Sequence, residues 1–150
     1  MSSTISIPRR PVAQPRATRI PAAWLWAADA LVIVLGGMSA EWLDFRELRV
    51  PLLMMAGCGV LAAAWAMTRG RTGVRPFIET VIAGAATWAA IEATYVVIHL
   101  AAGERFHAER FGPQWSQAVG LIAAHGIFLG VPTGLAVALV LHARARLRRA

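Results

Sequence analysis

At 150 residues the chain has the length of one soluble domain, yet 57% of it is hydrophobic and only 15% is charged, against roughly 25% charged residues in soluble domains. Its fifteen basic residues are all arginine and exceed eight acids for a net charge of +7. They flank apolar blocks, the pattern of membrane topology, which excludes nucleic acid as the expected partner. The single cysteine excludes an intrachain disulfide. Arginine without lysine, with abundant Ala and Gly, suggests a GC-rich bacterial source.

Residues 1–19 are rich in Pro, Ser and Arg and cannot build a core, so they read as a disordered cytoplasmic tail. Arg9-Arg10 is a twin-arginine pair, but Pro11-Val12-Ala13-Gln14 suits an export signal poorly. Met38-Ser39-Ala40 is only a partial cleavage site, so the first helix is expected to stay uncleaved. The transmembrane domain is expected over 20–142, in four helices at about 20–40, 51–68, 77–102 and 116–141. Each approaches the ~20 apolar residues that span a ~30 Å hydrocarbon core. Residues 143–150 form a basic cytoplasmic tail. No segment alternates with period two, which excludes a transmembrane β-barrel. Backbone groups in lipid must bond within their own segment, which leaves helices. The fold class is therefore an all-α integral membrane protein, with four transmembrane helices in an up-down bundle.

The first helix opens with Trp24 and Trp26 and carries Asp29 in its middle; Gly36 and Gly37 follow. In the next loop Trp42, Phe45 and Leu48 fall at helical spacing between charges, as in a short interfacial helix before Pro51. The second helix offers Ala56, Gly57 and Gly59 for packing, and Cys58 within it reads as a small buried hydrophobe. A loop with Arg69, Arg71 and Arg75 leads to the third helix, where Gly84, Ala85 and Ala89 are small and Trp88 lies near mid-membrane. Glu92, Tyr95 and His99 fall on one face there, at i, i+3 and i+7. A second acidic loop, Glu104–Phe111, resembles the first. The fourth helix spaces Gly126, Gly130 and Gly134 four apart, a small-xxx-small face for close helix packing. Pro132 should kink that helix and free the Phe128 carbonyl.

Arginines concentrate before the first helix, between the second and third, and after the fourth. The positive-inside rule then sets both termini in the cytoplasm, with the chain in a bacterial inner membrane.

Ionisable groups at membrane depth are costly, by ~2.5–3.5 kcal/mol each on insertion scales, and mark candidate sites. Asp29, Glu92, Tyr95, His99 and His125 form the intramembrane polar set. At ~1.5 Å rise per residue, Glu92 and His125 both lie ~4–5 Å outside the midplane and are expected to meet, whereas His99 lies ~14 Å outside and Asp29 ~2 Å inside. No phosphate loop, HExxH or nucleophile elbow is present. The leading expectation is a non-catalytic accessory or scaffold subunit, in contact with the lipid bilayer and with a membrane-protein partner or further copies of itself. A haem- or pigment-binding subunit with His99 or His125 as axial ligand is one alternative. A proton- or ion-coupled transporter component using Glu92, His125 and Asp29 is another. An enzyme built on Glu92, Tyr95, His99 and the loop His107 ranks last, and no metal ligand set is expected.

Overall fold

The computed structural model describes the backbone of residues 20–42, 45–102 and 114–148, and the side chains of residues 20–39, 50–102 and 116–148. Every regular element among them is helical: α1 (Ala22–Trp42), α2 (Phe45–Thr68), α3 (Val74–Ala101), α4 (Gln114–His125) and α5 (Val131–Leu147). A π-helical turn, Gly126–Gly130, joins α4 to α5 in one fourth span. The stretches Ala22–Ser39, Val50–Thr68, Val74–Ala101 and Ser116–Leu147 are long and apolar enough to cross a bilayer. The chain is thus an all-helical membrane protein of four spans. Its helices are apolar nearly all round, as expected when each side faces either another helix or acyl chains.

Two boundaries differ from expectation. Helix α2 starts at Phe45, and Pro51 lies inside it instead of opening it. The residues read as a separate interfacial helix are therefore shared between the end of α1, at Trp42, and the start of α2. Pro51 leaves the carbonyl at position 47 without its helical donor, in the charged opening of α2 and ahead of its apolar run. Side chains 40–49 and the second acidic loop, with His107, fall outside the described residues. The second difference is in the fourth span. Pro132 cannot donate to the Phe128 carbonyl, and the chain answers with the π-helical turn just before it, in which the Val131 amide reaches back five residues to the Gly126 carbonyl.

Helix α3 occupies the middle of the bundle and packs on α1, α2 and the whole fourth span, while α1 and the fourth span share no substantial contact. Buried Leu52, Ala56, Trp88 and Ile91 form the core, flanked by Val32, Ile33, Met55 and Leu129. The helices approach closely wherever small residues meet. A methyl group added at Gly130 would lie 2.6 Å from the Ala85 Cα, and one at Gly134 would lie 2.8 Å from the Val81 Cα. At Gly37 it would lie 2.7 Å from the Thr94 side chain. Glycine thus serves these crossings by removing bulk, and dispersion between the backbones takes over the role that hydrophobic burial has in water.

Large hydrophobic side chains point outward along every span, among them Leu31, Met54, Ile82, Val97 and Phe128. Cys58 does the same, which corrects its reading as a buried residue. In lipid an apolar side chain gains nothing by hiding in protein, so position within a greasy segment does not imply burial in the bundle. Trp24 and Trp26 also face outward at the start of α1, as residues of an aromatic belt do.

The loop between α2 and α3 turns through left-handed backbone at Arg69 (φ 50°) and Gly70 (φ 73°). The Arg69 amide bonds the Trp65 carbonyl at 2.9 Å, and the Arg71 amide bonds the Thr68 carbonyl at 3.0 Å, which closes α2. Gly70 also lies beneath the Trp65 indole, 3.3 Å from where a Cβ would stand.

The glycines divide into two classes with opposite expected behaviour. Gly84→Ala would set its methyl 2.7 Å from Gly134 backbone atoms, whereas Gly57→Ala and Gly120→Ala meet open space. Gly84→Ala and Gly130→Ala are expected to lower unfolding free energy in mixed micelles by about 1–3 kcal/mol, and Gly57→Ala and Gly120→Ala to leave it unchanged or raise it slightly. Equal effects at all four positions would contradict the observed crossings.

Candidate polar site of the bundle

Most hydroxyl groups in the spans are spent on their own helix. Ser39 donates to Leu35 at 2.7 Å, Thr68 to Ala64 at 2.8 Å, Thr80 to Pro76 at 2.8 Å and Thr94 to Ala90 at 2.9 Å, each to a carbonyl one turn back. Thr87 behaves differently. Its hydroxyl donates 3.1 Å across to the carboxyl of Asp29 on α1. Asp29 is only 6% exposed. The third wall of its niche is Gly59 on α2, where an added methyl would sit 2.9 Å from the Asp29 Oδ1. Three helices therefore converge on one carboxyl, and the niche exists because the residue facing it is glycine.

One residue further along α3, Trp88 is 3% exposed and crosses to the other side of the bundle. Its indole N–H donates to the Thr133 hydroxyl at 3.1 Å, and that hydroxyl donates to the Leu129 carbonyl at 2.6 Å. This short relay satisfies a buried indole and a backbone carbonyl of the π-helical turn together, a service that Ser and Thr commonly perform beside membrane prolines. Thr133 was not among the sequence candidates. Its signal was its place immediately after Pro132, where a freed backbone needs a polar neighbour.

A turn beyond Trp88, Glu92 extends toward α4. Its Oε2 lies 3.6 Å from His125 Nδ1, with side-chain exposures of 13% and 27%. The same nitrogen lies 3.0 Å from the Leu121 carbonyl. With the proton on Nδ1, it donates to Leu121 and faces the carboxylate, and Nε2 is the nitrogen left for a further partner. The His99 ring meets Tyr95 edge-on at 4.2 Å between centroids. Trp88, Glu92, Tyr95 and His99 thus make one stripe along α3, with His125 opposite and the π-helical turn directly below it.

The polar set falls into two groups on opposite sides of α3. Asp29 belongs with Thr87 and Gly59, while Glu92, Tyr95, His99 and His125 are together. Gly126, Gly130 and Gly134 hold the fourth span against Ala85, Ala89 and Val81 and so set how near His125 comes to Glu92. Among the described residues no three His, Cys, Asp or Glu side chains gather as a metal-ligand group.

If the two side chains interact, their effects on stability are not additive. A double-mutant cycle with Glu92→Ala and His125→Ala is expected to give a coupling energy of about 0.6–1.7 kcal/mol in lipid-like micelles. Strict additivity would separate the pair energetically and contradict the contact. Compared with known proteins, the chain matches no family model, no curated protein and no solved structure.

Proposed function

We propose that this chain is a non-catalytic accessory or scaffold subunit of a larger membrane assembly. The observation that carries the reading is that its polar groups at depth engage each other across helices: Thr87 hydrogen-bonds Asp29, Trp88 hydrogen-bonds Thr133, and Glu92 faces His125 at 3.6 Å. Interhelical bonds of this kind hold a bundle together, and residues so engaged are clamps before they are reagents. The described residues otherwise present long apolar faces and an arginine-rich end, which suit contact with lipid and with other spanning helices. The arginine distribution supports an inner-membrane location with both termini cytoplasmic.

Extraction from native membranes in a mild detergent, followed by intact-mass measurement, tests this reading. A complex containing a second polypeptide, or several copies of this chain, is expected. A lone monomer would contradict it. A C-terminal epitope tag on the same chain should resist protease in intact spheroplasts and be cut after lysis; cleavage before lysis would reverse the orientation.

One observation favours a second reading. A carboxylate and an imidazole 3.6 Å apart at membrane depth, beside a π-helical turn, have the composition of a proton relay. The Nε2 of His125 is the atom through which a proton, or a haem or pigment metal, would engage that pair. In proteoliposomes this reading expects Glu92→Gln to abolish proton flux carried by the wild type. Equal flux from both proteins would reject it and leave the pair as a clamp.

A further inference from the structure

At the end of the bundle where α2 closes and α5 finishes, a cavity of about 230 Å³ opens between Trp65, Gly70, Arg71, Leu141, Arg144 and Arg148. Three arginines, Arg71, Arg144 and Arg148, line this single space. Among the described residues none of them has a carboxylate within ion-pair distance, in contrast to Arg75, which is held by Glu79 at 3.0 Å. Arg71 is pre-oriented, because its Nε donates to the Thr68 carbonyl at 3.1 Å, leaving the outer nitrogens of its fork for another acceptor. Arg144 in the last turn of α5 and Arg148, which caps that helix in helical backbone conformation, stand one turn apart and so share a face.

A topology anchor explains why arginines gather at this end, but not why three of them line one cavity beside a tryptophan. Trp65 is partly exposed, and its indole is seated on the Gly70 backbone, which gives the cavity a rigid apolar wall next to its cationic one. We infer that this cavity binds a phosphate ester anion, supplied by the headgroup of an anionic phospholipid. Guanidinium forks match phosphate oxygens bidentately, and basic pockets between spanning helices at the membrane edge are suited to such headgroups. The lateral wall of Trp65 and Leu141 continues into the apolar surface of the spans, so the acyl chains of the bound lipid stay in the bilayer while its phosphate meets the arginines. This site is separate from the Glu92–His125 pair and does not depend on the role given to that pair.

Native mass spectrometry of the full chain, released from detergent after incubation with phosphatidylglycerol or with phosphatidylcholine, tests the inference. Phosphatidylglycerol adducts should be retained in preference to phosphatidylcholine. Arg144→Gln and Arg148→Gln should each lower that retention about fivefold, the factor corresponding to roughly 1 kcal/mol per arginine at a membrane surface. Arg146→Gln removes the same charge from the same helix but does not line the cavity, and should leave retention unchanged. Equal retention of the two lipids would overturn the proposal, as would wild-type behaviour of Arg144→Gln and Arg148→Gln. An equal loss with Arg146→Gln would also overturn it by assigning the effect to diffuse charge. Displacement of phosphatidylglycerol by millimolar inorganic phosphate would overturn the lipid source and assign the cavity to free phosphate.

Discussion

Lipid offers no hydrogen bonds, and the structure follows from that constraint. A buried donor or acceptor in a water-soluble protein can fall back on a solvent molecule; in the acyl region it needs a partner from the chain itself. Helix α3 supplies most of those partners. Within six residues it hydrogen-bonds Thr87 to Asp29 on α1 and Trp88 to Thr133 on α5, and it sets Glu92 3.6 Å from His125 on α4. The fourth neighbour, α2, meets the Asp29 side of α3 through the glycine that leaves room for the Asp29 carboxyl. The polar residues that look most expensive in the sequence are therefore the ones that reach from one helix to the next.

Close packing makes those bonds possible. The glycine face of the fourth span lies against Ala85 and Val81 on α3, near enough that added methyl groups would strike backbone. At wider separation, the indole of Trp88 would not reach Thr133 and the carboxylate of Glu92 would not face His125. Dispersion and polar bonding act together here: small residues set the distance, and the few polar pairs select the rotation of each helix about its axis. The π-helical turn belongs to the same arrangement. It absorbs the hydrogen bond that Pro132 cannot make, and Thr133 ties the affected backbone to α3.

Much of the architecture was legible in the sequence because the span signal is one of length and composition, which membranes impose strongly. The level shared by Glu92 and His125 followed from helix rise alone, and the two side chains lie 3.6 Å apart. Features that depend on rotation about a helix axis were hidden. Apolar residues surround each helix, so periodicity gives no inward face, and Cys58 was assigned to the interior although it points out. The pairing of Asp29 with Thr87 needed the azimuth of both helices, and no motif encodes it. The extension of α2 before Pro51 and the π-helical turn before Pro132 were missed because proline marks a disturbance without stating how the backbone resolves it. The arginine-lined cavity joins residues from positions 65 to 148, and the sequence shows only that charge accumulates near each.

The most direct measurement of this account is a carbon–nitrogen dipolar contact between the Glu92 carboxyl carbon and His125 Nδ1, recorded by magic-angle-spinning NMR on the labelled chain in lipid bilayers. The account predicts a resolved through-space coupling between the two sites in the intact protein, lost when Gly130 is replaced by leucine and the helices are forced apart. A well-ordered spectrum in which the Glu92 and His125 signals are both present and uncoupled would contradict it.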